Sequence, residues 1–258
     1  MSRSDAYLER LLVEHSVDTG HHAPVRRARG FCQSLLSGWS GSERLCGELV
    51  ISGSFAKSTA VRNVCDIDLL VPYETEDPLW QSYETLFDYL SDRKLQPRRQ
   101  TVSIRIKAVV DNIEYTIDLI PARMNRNDPD HQSLWVRRLG TWRRTDVNRH
   151  ANEVIASGRQ GEIRLMKVWR AQKGLEFPSF LLELATIKAL KDSRSASMAE
   201  KISRVFVYVR DEFANDALPD PASPALNLAD DLTDKDKTAI ARAAAQAADA
   251  RAWTDVIL

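Results

Sequence analysis

The sequence predicts an α/β (α+β) chain of two lobes, with a mixed β-sheet in residues 1–158 and a bundle of helices in residues 159–258. Two observations carry this. Runs with the period-two alternation of strands crowd residues 49–71 and 103–120, whereas helical patterns separated by Gly-, Pro- and Asp-rich breaks fill residues 162–253. The small and polar residues near 157–161 interrupt both patterns and mark the expected lobe boundary.

Each element has its own local reason. Residues 5–15 are amphipathic, and residues 24–39 read as a helix opened by a first-turn proline, Pro24. Residues 49–52 and 65–71 are expected strands around a Gly-Ser turn. Asp77-Pro78 supplies an N-cap and first-turn proline for a helix through residue 91, whose stripe is Leu79, Leu86, Phe87 and Leu90. Residues 103–110 and 113–120 alternate around Asp111-Asn112, a turn-prone pair, and so predict a β-hairpin. A polar, Arg-rich connection follows, then helices near 162–172, 179–191 and 198–213. A Pro/Asp/Ala loop over 215–231 precedes a last Ala-rich helix, capped by Thr233 and ending near residue 253.

Composition bounds the class. With 258 residues and 43% hydrophobic content the chain can bury a sizeable core. No run of 18 apolar residues suggests a membrane span, and the N-terminus lacks an apolar signal core, so a cytoplasmic protein with no membrane partner is expected. Cys32, Cys46 and Cys65 are odd in number and widely spaced with no CxxC, which indicates neither a disulfide framework nor a structural zinc site. His21-His22 lacks metal-ligand spacing. The 36 basic and 36 acidic residues balance, yet residues 93–149 hold 13 Lys/Arg against 6 Asp/Glu and residues 211–258 hold 4 against 10. A basic middle suits triphosphates or a nucleic-acid backbone, and residues 137–144 mix arginines with Trp142. Nucleic acid is thus a possible ligand, but an obligatory one is not expected given the acidic C-terminal segment.

The chemistry-bearing residues lie in ISGSFAKSTAVRNVCDIDLLV, residues 51–71. On an extended strand Asp66 and Asp68 project from one face while Ile67, Leu69 and Val71 share the other. Hard divalent cations such as Mg²⁺ take carboxylates together with substrate phosphates and water. Gly53-Ser54 ahead of them allows close approach of an anion, and a helix starting after the turn would aim amides at phosphate. A two-metal site needs a third carboxylate, for which Asp118 on the second hairpin strand is the candidate.

The segments GSFAKST, DIDLLV and YTIDLIP together resemble the catalytic core of polymerase-β-like nucleotidyltransferases. The runs RLMKVWRAQKG and PSFLLELATIKAL, followed by the DPxxPxxN-like segment at Asp220, are similar to the cGAS/DncV-like group, which includes oligoadenylate synthases. Ser58 departs from the pattern, standing where a glycine is common. The resemblance implies transfer of an NTP α-phosphate with loss of pyrophosphate. Two Mg²⁺ ions (or Mn²⁺) would be held by Asp66, Asp68 and Asp118, and the β- and γ-phosphates by Gly53 and Ser54. It further implies that Lys167 and Ser179 contact the triphosphate of an NTP such as ATP and that Phe180 stacks on a base; Lys57 and Thr59 are candidates near the phosphates. On this reading Lys167 is mid-helix and accessible, so its loss weakens NTP affinity and barely moves stability. The implied product is a cyclic or linear oligonucleotide messenger; transfer onto RNA or a protein, and a non-catalytic sensor, are the rival readings.

Overall fold

The computed structural model describes residues 2–18, 20, 23–125, 128, 130–193 and 196–258, so the His21-His22 pair lies outside the described residues. In chain order the first elements are α1 (Arg3–Glu14), α2 (Pro24–Leu36), β1 (Val50–Ile51), α3 (Gly53–Ala56), β2 (Ile67–Tyr73) and α4 (Leu79–Asp92). Then follow β3 (Arg98–Arg99), β4 (Ile104–Val110), β5 (Ile113–Met124), β6 (Gln132–Val136) and β7 (Thr141–Thr145). The remainder is α5 (Val147–Ser157), α6 (Gln160–Gln172), α7 (Ser179–Ala189), α8 (Met198–Asp211), β8 (Pro219–Asp220), β9 (Ser223–Asn227) and α9 (Asp234–Ala248). The fold is therefore α/β, with a mixed sheet and helices. No helix is long and apolar enough to cross a membrane among the described residues.

Two compact units form, and neither is one continuous stretch. One comprises Asp18–Lys57 and Cys65–Ala151; the other comprises Met1–Val17, Ser58–Val64 and Asn152–Leu258. The expected lobes 1–158 and 159–258 differ from this because Leu8 and Leu11 of α1, with Val61, belong to the same apolar cluster as the C-terminal helices.

The sheet unit is ordered β1-β2-β5-β4-β3, with β6 on β5 and β7 on β6. The β2–β5 pairing is parallel and sets Ile67 beside Ile117, Asp68 beside Asp118 and Leu69 beside Leu119. Alternation then separates two faces. Ile67, Leu69, Val71, Ile117 and Leu119 are buried with Ala28, Cys32 and Leu36 of α2 and Tyr83, Leu86 and Leu90 of α4, leaving the aspartates on the other face. Burial in that cluster pushes the Cys32 thiol up to about 12, so it stays protonated and inert. The hairpin forms as expected: Asp111 (φ 52°) and Asn112 (φ 62°) both adopt the left-handed conformation of a two-residue turn whose twist suits the flanking strands, pairing Val110 with Ile113.

Asp77 does not cap α4. Pro78 occupies the cap position, and Asp77 pairs with Arg44 at 2.5 Å. The Arg-rich connection is also more ordered than expected, because β6, β7 and α5 lie within it. Asp146 receives the Arg149 amide at 2.8 Å and so opens α5.

The helical unit packs around Trp169, which meets Phe206 edge to face at 5.2 Å between ring centroids. Thr233 caps α9 by exchanging hydrogen bonds with Asp236, as a capping box requires. The helix ends at Ala248, short of residue 253, and the expected loop over 215–231 contains the small β8–β9 hairpin.

Candidate active site

The sheet unit assembles the carboxylates through register. Asp118 lies between Asp68 on β2 and Arg105 on β4, each its direct neighbour across the sheet. Asp66 immediately precedes β2. Asp118 is largely buried, with its side chain 10% exposed, whereas Asp66 is 38% exposed.

Arg105 was not among the expected site residues, although the two-residue turn at Asp111-Asn112 already sets it opposite Asp118. Its guanidinium donates from Nε to Asp118 Oδ1 at 3.0 Å and from Nη2 to Asp118 Oδ2 at 2.8 Å. The same Nη2 also donates to Asp66 Oδ2. The hydrogen-bonded Asp118 carboxylate raises the guanidinium's pKa against the lowering by burial, and the charges of Asp66 and Asp68 add to the rise. Burial raises the pKa of Asp66, and the neighbouring Asp118 charge adds to this, against the lowering by Arg105. Desolvation and like charge thus outweigh a direct ion pair at Asp66.

The Gly-Ser turn abuts the same carboxylates. The Ser52 amide and hydroxyl both donate to the Asp68 carbonyl, at 3.0 and 3.3 Å. α3 begins at Gly53 itself, earlier than the expected start after the turn. Gly53 has φ +59°, and a Cβ added there would lie 1.8 Å from Asp68 Oδ2. No other residue fits without moving that carboxylate. We expect Gly53→Ala to displace Asp68, to lower stability by about 1–2 kcal/mol from the left-handed backbone alone, and to reduce nucleotide incorporation as strongly as Asp68→Asn does. Melting curves and an incorporation assay check this; an active, equally stable variant contradicts it.

The Ser54 hydroxyl is buried with no hydrogen-bond partner among the described residues. Lys57 is buried at the end of α3. Ser58, the departure from the family pattern, sits at φ +57°, a conformation glycine adopts at least cost.

The helical unit holds the other candidates. Lys167 is not a surface lysine: it is 4% exposed. Its Nζ lies 2.5 Å from Glu183 Oε1, 2.8 Å from Thr59 Oγ1 and 3.3 Å from the Thr59 carbonyl. Thr59 in turn donates to Glu183 at 2.9 Å. The structure thus brings Thr59 and Lys167 together, through a glutamate the sequence reading missed. Ser179 is the first residue of α7, and Phe180 is partly buried against the helical core.

These residues suit a hard divalent cation in donor chemistry. A positive group, the Arg105 guanidinium, already sits between Asp66 and Asp118, and an orphaned hydroxyl and a close-approach glycine lie alongside. Among the described residues no three His, Cys, Asp or Glu side chains converge as a finished metal-ligand cluster.

In the run over residues 137–144, Arg137 and Arg138 lie in a 3₁₀ turn and Arg143 and Arg144 in the edge strand β7, where Arg144 pairs with Asp128. Trp142 is half exposed.

No family model matches the chain. Over 182 residues it is 26% identical to a cyclic AMP-AMP-AMP synthase of Escherichia coli (strain MS 115-1), a match covering 62% of this chain and 56% of that relative. The chain thus spans little more than half the length of that curated relative. The E. coli MS115-1 CdnC structure with ATP superposes with a TM-score of 0.73 at 22% identity, covering 95% of this chain and 90% of that one. The Bradyrhizobium diazoefficiens CD-NTase CdnG in complex with GTP superposes with a TM-score of 0.72 at 15% identity, covering 95% and 91%. In fold the chain is similar to these solved CD-NTase structures, and over 182 residues its sequence is similar to that synthase.

Proposed function

We propose that this protein is a metal-dependent nucleotidyltransferase that joins NTPs into a cyclic or linear oligonucleotide messenger in bacterial anti-phage signalling. The observation that carries the chemistry is the register that puts Asp68 and Asp118 side by side on the face of the sheet opposite the α2–α4 core, with Asp66 sharing Arg105 with Asp118. An acceptor hydroxyl oxygen bonds to the α-phosphorus, the bond from that phosphorus to the bridging oxygen breaks, and pyrophosphate leaves with the electron pair. Asp118 helps to activate the hydroxyl. Gly53 and Ser54 hold the β- and γ-phosphates through backbone amides and the unsatisfied Ser54 hydroxyl, with Lys57 nearby. Asp66, Asp68 and Asp118 would hold two Mg²⁺ or Mn²⁺ ions, which supply Lewis-acid stabilisation of the charge that builds on the phosphoryl and leaving oxygens.

In the helical unit, Ser179 at the first turn of α7 and Phe180 are the proposed triphosphate and base contacts. A phosphate contact by Lys167 requires its ammonium to give up Glu183 or Thr59, so Thr59 acts here through Lys167. The likeness to a cyclic AMP-AMP-AMP synthase and to structures holding ATP or GTP supports NTP substrates.

Incubation with labelled ATP, GTP, CTP and UTP, singly and together, tests this. A small phosphatase-resistant product with release of pyrophosphate is expected, and label appearing only on added RNA or protein contradicts it. We also expect turnover without nucleic acid. A strict requirement for RNA or DNA, weakening steeply with salt as released counterions demand, would assign the Arg137–Leu139 turn and Thr141–Thr145 strand an activating role instead.

A further inference from the structure

We propose that Arg105 is the resident counter-cation of the carboxylate cluster, which holds Asp66 and Asp118 together before a divalent metal loads and yields Asp66 to that metal. This rests on the metal-dependent reading above and adds a positioning residue to it. The guanidinium makes two bonds to Asp118, on the neighbouring strand, and one to Asp66, which precedes β2 and lies outside the ladder. The two-bond fork is fixed by register, so the Asp66 arm is the one that can release. Three carboxylates facing one another without a cation repel, and the guanidinium offsets that repulsion. The same positive charge competes with an incoming cation for Asp66 oxygens. Both effects follow from one side chain, and they account for a cluster that is paired internally rather than arranged as a finished ligand set.

The competition has a readout independent of turnover: Mn²⁺ binding followed by electron paramagnetic resonance, without nucleotide, on the full chain. Arg105→Gln removes the charge and should bind Mn²⁺ at least tenfold more tightly than the wild type. Its melting temperature in chelator should fall, with a larger recovery on adding Mn²⁺. Should Arg105→Gln fail to fold, Arg105→Lys answers the same question, because one ammonium cannot serve both carboxylates as the planar fork does; affinity should then rise about threefold or more. Unchanged or weaker Mn²⁺ binding in the folded variants overturns the role of Arg105 while leaving the metal site standing. A wild type that takes up no Mn²⁺ even with a non-hydrolysable NTP overturns both readings.

Discussion

Replacing Asp66 and Asp68 together by asparagine should abolish nucleotide incorporation while leaving the fold intact and the melting temperature equal to or above that of the wild type. The loss of activity follows from removing the carboxylates that would hold the charge-stabilising ions. At about 1.4 kcal/mol per decade, several kcal/mol of transition-state stabilisation is a thousandfold or more in rate. The stability half of the expectation rests on Asp66. Burial raises its pKa in the folded state, so the group contributes stability below its unfolded pKa and loses it as pH rises through the folded value. The charged form of Asp66 is thus less favoured in the folded chain than in the unfolded one, a cost that the neutral amide removes. Arg105 should keep in the variant the two bonds that it makes to Asp118. Thermal unfolding at neutral pH beside an incorporation assay checks both halves. A double variant that still incorporates nucleotide refutes the assignment of these carboxylates.

Lys167→Ala should cost about 3–5 kcal/mol, because it leaves Glu183, 1% exposed, as a buried charge without its lysine. For a protein of this size that lowers the melting temperature by roughly 6–20 °C. This reverses the sequence-based expectation that stability barely moves, and burial is the reason. Lys167→Met combined with Glu183→Leu should recover most of the loss, since replacing a buried ion pair by apolar groups of similar volume is close to neutral. NTP affinity measured on that double variant then separates packing from phosphate contact. A single variant as stable as the wild type would contradict the buried network.

Much of the sheet unit was legible because its signals are local. Alternation in DIDLLV and YTIDLIP gives the faces, and the Asp111-Asn112 turn gives the register. That register also implies Arg105 opposite Asp118, a pairing open to counting back from the turn. The Lys167–Glu183 pair had a weaker signal: each charge interrupts an apolar run, and consecutive helices carry opposite signs. Which of two such charges is buried depends on packing that sequence spacing does not fix. β6, β7 and α5 went unseen because β7, reading TWRRT, is an edge strand with mostly exposed side chains, where alternation of burial is weak. The grouping of α1 with the C-terminal helices is a long-range fact, carried by Leu8 and Leu11 meeting a core more than a hundred residues away.

The carboxylate site is tested by the anomalous scattering of manganese in crystals grown with Mn²⁺ and a non-hydrolysable NTP. Manganese peaks bound by Asp66, Asp68 and Asp118 are expected, with the triphosphate against Gly53 and Ser54 and Arg105 withdrawn from Asp66. Manganese bound elsewhere, with Arg105 still bridging Asp66 and Asp118, would contradict this.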